Sequence, residues 1–126
     1  MRLITLFVTL VLVSGLQTFG PRNEPPVAND DEVILMYRTS QGVDIPVLAN
    51  DVDPEGRALR VTGLPLVEGG KAEVIDGKSV RVYVDWSQGG GGNGYGLMAH
   101  GAYFVSDGLA VSKAEWFVWY WPEILP

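Results

Sequence analysis

The chain has 126 residues, a formal net charge of −6, 47% apolar and 19% charged residues, and no cysteine. That composition fits one folded domain with a modest core and excludes a disordered chain. The acid excess leaves no electrostatic footprint for nucleic acid, and the missing cysteines rule out disulfides, thiolate metal sites, thiol nucleophiles and a lipoprotein anchor.

Met1-Arg2 followed by the apolar run Leu3 to Val13 and the small residues Ser14-Gly15 reads as a secretory signal helix. The run falls short of the roughly 20 residues that span a bilayer, so the membrane enters only through an uncleaved signal segment. The expected organisation is a signal and processing region over 1–20, a proline-rich linker over 21–26, one domain over 27–122 and a tail over 123–126. The expected location is secreted, periplasmic or at the cell surface.

In the mature chain, Val33 to Tyr37 is an apolar run of strand length. Val43, Ile45 and Val47 alternate with Asp44 and Pro46, and the proline predicts an edge strand or a bulge. Leu59 and Val61, Ala72 and Val74, and Val80, Val82 and Val84 repeat the two-residue period. Tyr103 and Val105 follow, and the last run is Ala114 to Trp121. Asp53-Pro54-Glu55-Gly56, Glu68-Gly69-Gly70, Asp76-Gly77 and Ser106-Asp107-Gly108 separate the runs with turn chemistry. The pattern predicts an all-β, antiparallel immunoglobulin- or cadherin-like sandwich of about seven strands. Gln88 to Gly96, rich in glycine, reads as a loop at one end. It lacks the Lys-Ser/Thr and following helix of a phosphate-binding loop.

Pro26-Val27-Ala28-Asn29-Asp30-Asp31, Val47-Leu48-Ala49-Asn50-Asp51-Val52-Asp53-Pro54-Glu55-Gly56 and Val105-Ser106-Asp107-Gly108 carry a family likeness. The order resembles the bacterial cadherin-like (tandem-95, VCBS-like) repeats of large secreted adhesins. The resemblance implies an exported sandwich without enzymatic activity, often associated with calcium. Ser40-Gln41 and Arg57 stand where such repeats often carry acids.

Calcium takes six to eight oxygen ligands. Asn50, Asp51 and Asp53 offer several within a few residues, Asp51 and Asp53 being the foremost candidates; Asn29, Asp30 and Asp31 form a second group, and Asp107 a third. Loops gather at the ends of a sandwich, so these groups can converge. Asp-Pro-Glu-Gly is equally a complete turn sequence in its own right. In the last run, Ala114, Trp116, Val118 and Tyr120 are expected in the core. Phe117, Trp119 and Trp121 would then share the outer face, as a contact surface for a protein, a surface glycan or a second copy. A bulge or a covering loop would instead bury them.

A Ser106–His100–Asp triad can be drawn, but nothing marks an oxyanion hole and the turn explains Ser106. The expected function is therefore a non-catalytic module for adhesion or protein interaction, calcium being the one cofactor expected. The alternatives are a carbohydrate-binding or accessory module using the C-terminal aromatics, or a single repeat with a structural role.

Overall fold

The computed structural model describes residues 22–87 and 94–122. The signal segment, the centre of the glycine-rich loop and the tail lie outside the described residues. Seven strands are present: β1 (Asp31–Leu35), β2 (Val43–Ile45), β3 (Arg60–Glu68), β4 (Gly70–Ile75), β5 (Ser79–Val84), β6 (Gly96–Ser106) and β7 (Val111–Tyr120), with one 3-10 turn over Val47–Asn50. They form a four-stranded sheet in the order β1-β7-β6-β3 and a three-stranded sheet in the order β2-β5-β4. This is a two-sheet all-β sandwich of the immunoglobulin type.

The core follows from the alternation. Val80 and Val82 of β5, Ile45 of β2 and Val47 after it face Val61 of β3, Ala99, Tyr103 and Val105 of β6, and Ala114, Trp116 and Val118 of β7. Each fully buried aliphatic side chain of this kind contributes about 1.5–3 kcal/mol relative to exposure. Pro46, which cannot donate to a ladder, sits just past the end of β2, and β2 is an edge strand. Asp76 and Gly77 both take positive φ (55° and 66°), which closes the β4–β5 hairpin with the twist the strands require.

Three features depart from the expected pattern. First, β1 pairs with β7 in parallel, Asp31 beside Trp116 through Leu35 beside Tyr120, so the sandwich is not wholly antiparallel. Second, β3 runs on through Leu64-Pro65-Leu66, with register shifts against β6 that accommodate the proline. Third, the strand expected at Tyr103 and Val105 is longer, β6 reaching back through Gly101 and His100 to Gly96 at the end of the glycine-rich loop. Gly101 lies between β3 and the core, where a Cβ would collide with the Leu66 carbonyl and the Trp116 indole. Glycine is needed there because two neighbours already fill the space.

The strands define two ends. Asp107 and the start of β7 mark the lower end, and Tyr120 and Trp121 the upper. The approach Arg22–Pro26 lies against the lower end. Asn23 donates to Asp107 Oδ2 at 3.0 Å, Ser112 Oγ donates to the Pro26 carbonyl at 2.6 Å, and Val27 bridges Val52.

Candidate functional site: the acidic lower end and the aromatic upper end

The turn Asp53-Pro54-Glu55-Gly56 closes through Gly56 N to Asp53 O at 2.9 Å. Asp53 Oδ2 accepts from Glu55 N at 3.0 Å and Arg57 N at 2.8 Å, which fixes the carboxylate inward. Asp53 is only 7% exposed, and its second oxygen, Oδ1, is buried with no hydrogen-bond partner. Asp107 is also 7% exposed. Its Oδ1 accepts from Leu109 N and Ala110 N at 2.8 and 2.7 Å, and its Oδ2 from Asn23. Burial works against its charge, but the backbone donors of Leu109 and Ala110, the Asn23 amide and the adjoining Asp53 carboxyl group outweigh it and hold the carboxyl below the usual range.

Asp53, Glu55 and Asp107 each bring a carboxylate oxygen within 4.8 Å of the others, and among the described residues they form the one such acidic or histidine group. Arg57 turns aside, its Nε donating to Asn23 Oδ1 at 2.8 Å. An all-oxygen set with one buried orphan oxygen suits a hard cation such as calcium, with backbone oxygens or water completing the shell.

The other sequence candidates gather separately around Tyr103. Its hydroxyl, at the fully buried end of a β6 side chain, lies 2.7 Å from Asp51 Oδ2, 3.1 Å from the Asn29 carbonyl and 3.2 Å from the Val47 carbonyl. One hydroxyl proton cannot serve all three acceptors at once. Asp31 Oδ2 is buried there without a partner. Burial, then the charges of Asp51 and Asp30, push the Asp31 carboxyl up to about 7, against hydrogen bonds from Tyr103 and Asn50. Burial and the bond to Asp51 likewise raise the Tyr103 hydroxyl.

Asp30 Oδ1 accepts from Glu115 N at 2.9 Å, and Asn50 Nδ2 donates to the Asp30 carbonyl at 3.0 Å. Asp51 and Asp53, neighbours in sequence, therefore serve different clusters. Asp53 meets Asp107, while Asp51, Asn50, Asp30 and Asp31 tie β1 to the turn after β2. Glu55 and Asn23 complete the Asp53 group. The turn geometry was a signal for Glu55, which Asp-Pro-x-Gly carries back toward Asp53, but Asn23 had none.

Along β7, Ala114, Trp116 and Val118 are buried and Lys113 and Glu115 exposed, as the two-residue period requires. Phe117 and Trp119 lie half-buried on the outer face. Phe117 stacks on His100 of β6 at 6.3 Å, and Trp119 stands beside Leu97 and Ile34. His100 Nε2 lies 3.1 Å from Glu68 Oε1. Ser106 is six residues along the same strand, about 20 Å away at ~3.3 Å per residue, which leaves the drawn triad no geometry.

Trp121 lies past the strand end, at the upper end of the molecule. There Trp86 meets Tyr120 edge-on at 5.2 Å, and Tyr95 lies 6.1 Å from Tyr120 and 6.4 Å from Trp121. The Arg38 guanidinium sits over both Trp86 and Tyr120. This cluster joins residues far apart in sequence, and period-2 reading gives no sign of Trp86, Tyr95 or Arg38.

Two facing sheets, a buried tryptophan between them and loops gathered at both ends define an immunoglobulin-like domain. The chain belongs to the bacterial Ig domain family, whose model matches residues 23–115. Neither a curated protein nor a solved structure matches it. Among the described residues, no helix is long and apolar enough to cross a membrane.

Proposed function

We propose that the chain is an exported, non-catalytic module for adhesion or protein interaction, of the cadherin-like, tandem-95 type, and that it holds a calcium ion at its lower end. The observation that carries the ion is Asp53 Oδ1, buried and unpartnered beside Glu55 and Asp107. Leaving such an atom unmatched costs about 1–3 kcal/mol, and a divalent cation removes that penalty. Bound there, calcium would join the turn after Val52 to the β6–β7 turn and, through Asn23, to the approaching chain.

The test is thermal melting in about 10 mM calcium against a chelator. Extracellular modules bind calcium with dissociation constants of roughly 0.1–1 mM, so the ion should add about 1.4–2.7 kcal/mol and raise Tm by roughly 5–15 °C. Asp53→Asn should abolish the shift and Asp51→Asn should leave it. A melting temperature indifferent to calcium, or a shift that survives Asp53→Asn, would overturn the ion site.

A second reading, a carbohydrate-binding or accessory module, is favoured by the aromatic upper end. Trp121 is 49% exposed beside the ordered rings of Tyr95 and Tyr120.

A further inference from the structure

At the upper end, the loop after β1 carries Tyr37, 78% exposed, and then Arg38. The Arg38 guanidinium carbon lies 5.2 Å from the Trp86 ring centroid and 5.5 Å from that of Tyr120. The loop is held in place one residue further on, where the Trp86 indole N–H donates to the Thr39 carbonyl at 2.7 Å. Trp121 is tied to the same loop's root by its own N–H, donated to the Leu35 carbonyl at 3.0 Å. Arg38 and Trp121 are thus gathered around the same rings, Arg38 over Tyr120 and Trp121 beside Tyr95, which itself meets Tyr120.

Arg38 is exposed and makes no ion pair with a carboxylate among the described residues, where the pairs are Arg81–Asp44 and His100–Glu68. A guanidinium lying over aromatic rings keeps its N–H edges free to grip a carboxylate through two parallel bonds. The flat face of Trp121, half exposed beside Tyr95, offers an apolar surface of the kind that packs against the C–H face of a sugar ring. A neutral sugar leaves the cation unused, and an acidic peptide leaves the rings unused. A carboxylated sugar uses both. The acidic lower end does not oppose it: β7 alone separates the two ends by about 30 Å, several times the ~8 Å screening length at physiological salt.

We propose that the upper end, through Arg38 and Trp121, binds an acidic oligosaccharide built of uronic-acid units. This rests on the second reading above, of a carbohydrate-binding module, and is independent of calcium at the lower end.

The experiment is calorimetric titration of the full domain, in chelator, with tetragalacturonate and with a hyaluronan hexasaccharide. Cellotetraose and tetraglutamate serve as the neutral-sugar and acidic-peptide comparisons. Chelator removes calcium bridges, so a failed ion site leaves this result readable on its own. At least one uronate should bind, with Arg38→Gln and Trp121→Ala each weakening it about tenfold or more while the melting temperature stays at the parent value. Arg38→Lys, which keeps the charge but not the paired N–H edges, should recover only part of the affinity. The proposal is overturned if neither uronate binds up to about 10 mM. It is also overturned if cellotetraose or tetraglutamate binds as well as the uronates, or if Arg38→Gln binds as the parent does.

Discussion

Trp116→Ala should remove about 3–5 kcal/mol of folding stability, a large share of the roughly 5–15 kcal/mol that holds a domain folded. Trp116 is fully buried at the centre of β7, between β1 and β6, and packs directly on Gly101. Removing the indole opens a cavity that a rigid glycine backbone and two flanking strands cannot collapse to fill. Trp116→Phe should be far milder, within about 1.5 kcal/mol. Phenylalanine keeps most of the ring and discards an indole N–H that has no partner among the described residues. Urea denaturation of the two variants checks the contrast: equal losses would mean that the indole nitrogen matters more than the volume. For the same reason, cutting the chain within β7 would remove an inner strand of the larger sheet, between β1 and β6.

The second large effect is a dependence of stability on pH. The folded Asp31 carboxyl is raised from 3.8 to about 7, first by burial and then by Asp51 and Asp30. A group that holds its proton more tightly when folded makes the folded state bind more protons between the two values. Its contribution to stability is then fully present below about pH 4, falls as pH rises, and levels off above about 7. The groups around it are Asp30 on its own strand approach, Asn50 and Asp51 from the turn after β2, and Tyr103 from β6. Asp31→Asn should raise Tm at pH 8 by several degrees and flatten its slope between pH 5 and 8. Melting curves at pH 5, 6.5 and 8 decide it; a parent protein whose Tm is level across that range would remove Asp31 as the cause.

The strands were legible wherever apolar and polar residues alternate on one half-buried face. Val80, Val82 and Val84, and Ala114 through Val118, announce their faces directly. The parallel pairing of β1 was not legible, because Val33 to Tyr37 is apolar throughout and names no partner. The extension of β3 through Pro65 was hidden because a ladder interrupted by register shifts tolerates a residue that a regular one would reject. At the lower end, Asp53 and Asp107 could be nominated as calcium ligands because both lie in turn sequences. That Asp51 belongs with Tyr103 instead depends on which way each carboxylate leaves the chain, and sequence spacing carries no such direction. Arg38 and Trp86 are 48 residues apart and meet only through the sheet order.

The parallel alignment of β1 with β7 also decides how the domain answers tension. The chain enters β1 from the lower end and leaves β7 at the upper, so traction on the two termini slides these strands past each other along their length. The ladder from Asp31–Trp116 to Leu35–Tyr120 is then loaded in shear, with all its rungs strained together. An antiparallel pairing at the same place would open one rung at a time, like a zipper. The strand whose direction sequence could not supply thus sets the loading geometry of the joint between the two ends.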